Sequence, residues 1–387
     1  MRRRWTILFV IALGLGVLGL VIGVFVDPRR FYFSYLTAWL YFVSIGMGAV
    51  LLVMTGHAAR ARWFGALRRV AEIPAATFPF FLLLVLPIFF GLDELYPWVH
   101  PSPELGEEAL HVIDHRKSWL NIPFFVVRTL VWIGLFAIAA VVLVRGSIAL
   151  DRAFDPARRQ RLYRFSCGGL VILGFVLTWA SFDWIMSLDP TWYSTILGVY
   201  FFAGGFSGAL SLLAINSAVL RRAGALPEEG ATERQTAVGR LLLAFVIFWA
   251  YQGFAQLLII WIANLPAEVG FYQRRSGSAW GWVSFVLALA HFGIPFLLLL
   301  SRRLKRSPIA LAAIAAWLLF AHYVDIYWLV MPNLTPSRIA PHWLDLAALL
   351  ALFGALGLSA LLLFRNRSLV AQTDPYFHQS LRYVSWP

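Results

Sequence analysis

Residues 179–193 read Trp179-Ala-Ser-Phe-Asp183-Trp-Ile-Met-Ser-Leu-Asp189-Pro-Thr-Trp-Tyr193, and this stretch decides the fold class. It places one carboxylate, Asp183, inside a very apolar segment and a second, Asp189, at the end of that segment. A charge in the hydrocarbon of a bilayer costs roughly 2.5–3.5 kcal/mol on insertion scales, so it persists only where it is paired or used. A sister stretch follows later, His322-Tyr-Val-Asp325-Ile-Tyr-Trp-Leu-Val-Met-Pro332. We therefore expect a membrane protein that forms a scaffold around Asp183 and Asp325.

The composition supports a chain that crosses the membrane many times. Of its 387 residues, 60% are hydrophobic and only 13% are charged, whereas about a quarter are charged in soluble proteins. The net charge of +13 comes largely from arginines in short loops between apolar runs. Membrane orientation explains these arginines better than nucleic acid does, so no nucleic-acid partner is expected. The single cysteine, Cys167, excludes a disulfide framework, cysteine-ligated iron–sulfur clusters and covalent attachment of haem c.

The hydropathy pattern predicts an all-α integral membrane protein with ten transmembrane helices. Each span needs about 20 predominantly apolar residues. The first run follows Met1-Arg-Arg-Arg4, is too long for a signal peptide and lacks a cleavage site, so we interpret it as an uncleaved span. The predicted spans 1 to 10 cover residues 5–26, 31–55, 70–91, 119–144, 165–188, 192–219, 240–263, 279–300, 309–331 and 343–364.

The distribution of basic residues predicts the orientation. An even number of spans puts both termini on one side. About three quarters of the 32 lysines and arginines lie in the N-terminus, the loops 2–3, 4–5, 6–7 and 8–9, and the tail. Both termini are therefore predicted to lie in the cytoplasm.

A weak internal repeat divides the chain into two related halves. Asp183 precedes Pro190 by the same spacing as Asp325 precedes Pro332, and Ile122-Pro-Phe-Phe125 matches Ile294-Pro-Phe-Leu297 four spans later. Both pairs run in the same direction, as a parallel duplication requires. We therefore predict one polytopic domain, residues 1–387, that contains two related four-helix bundles, spans 2–5 and 6–9. In this division the first span and outer turn are 1–30, the bundles are 31–188 and 192–331, peripheral span 10 is 343–364, and the cytoplasmic tail is 365–387.

Four further patterns carry local predictions. The sequence Gly14-Leu-Gly16-Val-Leu-Gly19 matches the G-x-G-x-x-G motif of dinucleotide-binding proteins, but it lies inside a span. Close packing of helices through small residues explains it better, and the same explanation applies to Gly204-x3-Gly208. Asp189 is predicted to cap span 6, with Pro190 in its first turn. The acidic loop 3–4 (93–118) is a candidate interfacial helix or docking surface, with a plain solvated loop as the alternative, and loop 6–7 (221–240) is predicted to be polar and mobile.

The ionisable and amide side chains inside the spans are the candidate functional residues. By their positions along the helices, they gather at one depth on the outer side of the membrane. His322 and Asp325 share a helical face, and an arginine close to a buried carboxylate can poise it for proton exchange. Hydrogen bonding between helices is the structural alternative, and metal or haem b ligation lacks enough ligands. The candidates are Asp183, Asp325, His322, His291, Arg128 and Gln256, with Gln252 beside them.

Long motifs of this chain resemble one specific family. They are 179–202, Phe248-Trp-Ala-Tyr251 with 258–266, His291 through Arg302, and Asp325 through Pro332. In order and spacing, from about residue 30 to the end, they resemble the F subunit of bacterial alternative complex III, a quinol:cytochrome c oxidoreductase. That subunit is often labelled quinone-binding subunit 2 and is similar to the polysulfide-reductase NrfD family of ten-span proteins.

The resemblance implies a membrane subunit without a bound cofactor, in the bacterial cytoplasmic membrane. Its expected partners are an NrfD-like C subunit, an iron–sulfur B subunit and haem c subunits that carry the electrons. Menaquinol or ubiquinol is the candidate ligand, and the candidate residues would lie on a proton path or beside the quinone. The rival interpretation is a stand-alone secondary transporter, because an internal repeat and charges inside the membrane suit one too.

Overall fold

The computed structural model describes residues 2–152, 154–277, 279–370 and 375–384, and throughout these ranges the regular structure is helical. Ten helices are long and apolar enough to cross a membrane, which confirms the predicted multi-pass all-α class. Spans 1 to 10 are Arg2–Val26, Pro28–Ala58, Arg68–Phe90, Ile122–Asp151, Pro156–Leu188, Leu197–Arg222, Ala231–Ala263, Trp280–Leu300, Pro308–Asn333 and Trp343–Leu363.

Short helices fill several of the connections between spans. Loop 3–4 contains the helix Glu107–His115, so the predicted short helix forms there. Further short helices in the connections include Leu92–Leu95, Pro266–Ser276 and Arg302–Arg306, and the tail contains the helix Pro375–Leu381.

Three spans begin with the same local signal, a capping side chain followed by proline. Asp27, Asp155 and Ser307 each accept a hydrogen bond from a backbone N–H of the first turn of spans 2, 5 and 9. Proline suits the next position because its missing N–H would have no partner there. These helix starts are therefore encoded locally.

The predicted cap at Asp189 is wrong. Span 6 begins at Leu197, and the Asp189 carboxylate instead accepts a hydrogen bond from the Thr191 hydroxyl at 2.8 Å and pairs with Arg274 of the helix Pro266–Ser276. A charge-assisted bond to a guanidinium is roughly twice as strong as a neutral bond. Tertiary pairing thus outcompetes the local cap.

Span 2 is the central helix, buried along almost its whole length. It contacts spans 3, 5, 6, 9 and 10. At its crossing with span 6, a Cβ atom on Gly48 would lie 2.4 Å from the carbonyl oxygen of Gly205. Only glycine permits this approach of two backbones.

The ten spans are arranged as two rings of four helices and one pair of helices. Spans 2, 3, 4 and 5 pack consecutively on one another, as do spans 6, 7, 8 and 9. Spans 1 and 10 pack along their length, and Gly19 and Gly23 of span 1 face Ala347 and Leu344 of span 10. The prediction of close packing through small residues is confirmed for this pair.

A buried ion pair joins the starts of spans 2 and 10. The Arg30 Nη2 atom lies 2.5 Å from the Asp345 Oδ2 atom, and the Ser34 hydroxyl donates to the same carboxylate at 2.6 Å. The His342 N–H also donates to it at 2.8 Å, which caps span 10. Every charge in this pair is thus compensated.

The termini and the basic loops meet at one end of the molecule, which we call the basic side. Arg2 donates to the carbonyl of Arg365 at 3.0 Å, and the Ser380 hydroxyl of the tail donates to the carbonyl of Trp63 at 3.0 Å. Arg234 is buried and donates to the Ser380 carbonyl at 3.0 Å. Residues 231–240 of loop 6–7 therefore belong to span 7, because this buried anchor extends the helix into the region predicted to be a mobile loop.

Candidate functional site

The structure divides the predicted residues into two groups. Asp183 and Arg128 form a pair within the ring of spans 2 to 5, whereas Asp325, His322 and His291 lie together in the ring of spans 6 to 9. Gln256 lies on the wall of a cavity beside the second group, and Gln252 is buried in span 7.

The Asp183 carboxylate is fully occupied by donors. Arg128 donates two hydrogen bonds to it in a bidentate arrangement, from Nε to Oδ2 at 2.9 Å and from Nη2 to Oδ1 at 2.8 Å. The indole N–H groups of Trp119 and Trp132 donate to the two oxygens at 3.1 and 2.9 Å. Trp132 lies one turn after Arg128 and so shares its helical face. Both members of the pair are buried, and the arrangement is that of a charge held in place.

Asp325 is buried, and no arginine of the described ranges pairs with it. Its Oδ2 atom accepts a hydrogen bond from the Trp249 indole at 3.0 Å, and its Oδ1 atom accepts one from the Tyr200 hydroxyl. These donors come from spans 7 and 6, so three helices converge on this carboxylate. Both donors are neutral groups, a hydroxyl and an indole. Asp325 can therefore exchange a proton without first breaking an ion pair.

His322 lies between Asp325 and span 2. Its Nε2 atom is 2.9 Å from the Ser44 hydroxyl oxygen, and that hydroxyl donates its only hydrogen to the carbonyl of Tyr41 at 2.8 Å. Ser44 must then accept, which assigns the ring proton of His322 to Nε2. The Nδ1 lone pair faces the Asp325 Oδ2 atom at 4.0 Å. The unprotonated Nδ1 atom of His322 is therefore placed to accept a proton that leaves Asp325.

His291 lies in a π-helical segment, Ala288–Gly293, within span 8. Its buried ring packs against Trp249 at 4.0 Å between centroids, tilted by 34°, and lies 6.2 Å from the ring of His322. Pro295 explains the wider turn, because its ring clashes with the carbonyl four residues earlier and it has no N–H to donate. The Trp317 indole donates instead, to the nearby carbonyl of Ala290 at 2.7 Å.

A cavity of about 950 Å³ adjoins the second group. Spans 6 to 9 and the helix Pro266–Ser276 form its wall, which is mainly aromatic and aliphatic. Its polar side chains include Tyr200, Trp249, Gln256, Arg275 and Ser284. Tyr200 and Trp249 are also the hydrogen-bond donors to Asp325, so a single side chain separates the cavity from the carboxylate.

The cavity reaches the outer surface of spans 7 and 8. Phe254 and Trp261 of span 7 and Trp282 and Phe285 of span 8 line it and are each more than half exposed. In a membrane these faces contact lipid. An apolar molecule dissolved in the bilayer could therefore enter between the two spans.

Arg275 forms part of the cavity wall and is held there by backbone carbonyl groups. Its guanidinium donates to the carbonyls of Trp328, Leu329 and Phe271 at 3.2, 3.0 and 3.0 Å and stacks on the Phe271 ring. Burial lowers the pKa of Arg275 well below its usual value, and the nearby charge of Arg274 lowers it further. The cation thus ties the end of span 9 to the cavity wall.

Three residues of the site, Tyr200, Trp249 and Arg275, were not predicted from the sequence. Tyrosine and tryptophan are too common in this chain, with 13 and 17 copies, for two of them to stand out. Arg275 lies in a connection, where arginine normally indicates orientation rather than a site. A comparison with protein-family models finds no match to the chain, and a comparison with curated proteins finds no relative.

Proposed function

We propose that this chain is a membrane subunit of a respiratory quinol:electron acceptor oxidoreductase and that the cavity takes up the quinol head group. The observation that carries the proposal is the connection from a lipid-facing apolar cavity through Tyr200 to Asp325. Quinols are apolar and dissolve in the bilayer, and apolar cavities with a few converging polar groups are typical ligand sites. Asp325 lies next to this cavity and accepts hydrogen bonds from two residues of its wall, Tyr200 and Trp249.

The residues of this chain can accept one of the two protons of quinol oxidation. Oxidation of a quinol to a quinone releases two electrons and two protons. The electrons pass to redox groups of the partner subunits, for which an iron–sulfur subunit, haem c subunits and an NrfD-like subunit are proposed. A proton can pass to the Tyr200 hydroxyl as that hydroxyl gives its own proton to Asp325. From there Nδ1 of His322 can accept it, which leaves the ring as an imidazolium whose Nε2–H still donates to Ser44 of span 2.

The two rings of helices support the proposed duplication into two related bundles. Asp183 and Asp325 each receive indole hydrogen bonds from their own ring of helices. Asp183 is also neutralised by Arg128, whereas Asp325 is not. We therefore assign proton exchange to Asp325 and a fixed, structural charge to Asp183. In the proposed orientation both termini lie in the cytoplasm, and the cavity lies towards the outer side of a bacterial cytoplasmic membrane.

The test is the Asp325→Asn substitution in the complex as purified from its native membrane. We expect an assembled complex with unchanged haem and iron–sulfur content, slower quinol-dependent reduction of the acceptor or weaker coupling to proton movement, and unchanged reduction of the haems by a soluble donor. Tyr200→Phe should have the same effect, since it removes only the hydroxyl. Asp155→Asn is the matched control, because asparagine caps span 5 as well as aspartate does.

Two outcomes would contradict the proposal. Full turnover and full coupling in both Asp325→Asn and Tyr200→Phe would make these side chains structural hydrogen-bonding groups. Purification of the wild-type chain without any haem or iron–sulfur partner would favour the rival function, a stand-alone transporter.

A further inference from the structure

A second cleft, of about 450 Å³, lies on the basic side of the molecule. It separates the pair formed by spans 1 and 10 from spans 2, 3 and 6. The pair meets the central helices mainly where span 10 packs on span 2. The cleft is therefore a gap beside this contact.

The mouth of the cleft is cationic. Arg2, Arg365 and Arg367 line it, and the part of its lining that the structure describes contains no aspartate or glutamate. Arg2 is fixed by hydrogen bonds to the carbonyls of Arg365 and Leu361 at 3.0 and 3.2 Å. Arg365 and Arg367 are exposed. The charges at this opening suit an anion.

The interior of the cleft is apolar and deep. From the arginines it extends along Phe9, Leu356 and Ile215 to Phe42 and Gly46, in the middle of span 2. At about 1.5 Å of rise per residue, this distance is about half the thickness of a bilayer. The cleft thus has the depth of one lipid leaflet.

We propose that this cleft binds one anionic phospholipid, with the phosphate at Arg365 and Arg367 and an acyl chain along Phe9 and Phe42. An anionic head group is attracted by cations at the membrane surface, by about 1 kcal/mol per residue, and the acyl chain fills a gap that side chains leave open. The lipid joins spans 1 and 10 to the central helices. This inference does not depend on the proposed quinol function.

The proposal can be tested by native mass spectrometry of the full-length chain after exchange into phosphatidylglycerol or phosphatidylcholine with identical acyl chains. We expect one phosphatidylglycerol to remain bound after detergent washing that removes phosphatidylcholine. The Arg365→Gln/Arg367→Gln variant should bind phosphatidylglycerol roughly 30-fold more weakly, the factor that corresponds to two surface cations. Both side chains are exposed, so the fold should survive.

Two further variants distinguish lipid binding in the cleft from general electrostatic attraction of anionic lipids to surface arginines. Arg302→Gln/Arg303→Gln removes two exposed arginines of the same side but outside the cleft, and should leave binding unchanged. Ala360→Phe fills the cleft and keeps every charge, and should abolish retention. Equal retention of both lipids, equal losses in the two arginine variants, or retention in Ala360→Phe would each refute the site. Extraction of a quinone in place of a phospholipid would refute the proposed occupant.

Discussion

The Arg128–Asp183 pair allows a quantitative prediction. Asp183→Leu should destabilise the protein by about 3–5 kcal/mol, because the remaining guanidinium is buried and its positive charge is left with neutral partners such as the carbonyl of Trp119 at 2.9 Å. Arg128→Met should cost less, since the carboxylate keeps the indole donors of Trp119 and Trp132. The double variant Arg128→Met/Asp183→Leu removes both buried charges of this pair. Its loss of unfolding free energy should be smaller than the sum of the losses in the two single variants, by about 2 kcal/mol or more.

The measurement is equilibrium unfolding in mixed SDS micelles, followed by helicity, for the wild type, the two single variants and the double variant. Glu233→Gln is the control. It breaks an ion pair with Arg306 that has an Nη2–Oε1 distance of 3.1 Å and partly exposed side chains, so it should cost about 0–1 kcal/mol. Additive losses in the double variant would refute the reasoning, because they would show that the two charges do not depend on each other.

Two further predictions address orientation and packing. Cysteine introduced at Ser102 should react with an impermeant reagent in intact cells, whereas cysteine at Ser307 should not, and the reverse pattern would overturn the predicted orientation. Gly204→Ala would place a methyl group 2.7 Å from the His322 ring and should cost about 1–3 kcal/mol in the same unfolding assay. Gly168→Ala, with no neighbouring atom within 4 Å, should not destabilise the protein; equal stability of the two variants would show that spans 6 and 9 can move apart.

The fold class could be predicted from the sequence because each membrane helix satisfies its own backbone and must be apolar along its length. These requirements are local, and all ten spans follow from them. The start of span 6 could not be predicted in this way. Asp189 and Pro190 form a good local capping signal, but Arg274, far along the chain, provides a stronger partner for the carboxylate.

The candidate site could be predicted only in part for the same reason. Asp325 and His322 stand out because charged and titratable groups are rare in apolar spans. Their partners Tyr200 and Trp249 are ordinary membrane residues until the helices are brought together. The pairing of Arg128 with Asp183 rather than with Asp325 likewise depends on which helices are neighbours.

The ion pair between Arg30 and Asp345 has a consequence for how the chain is made. The two residues are 315 positions apart, and synthesis proceeds from the N-terminus. Arg30 therefore reaches the membrane long before its carboxylate partner has been translated. A chain that stops before span 10 keeps an uncompensated cation at the start of its central helix, and such a group is costly within a bilayer. Closure of this pair therefore waits until span 10 has been made and has packed against span 2.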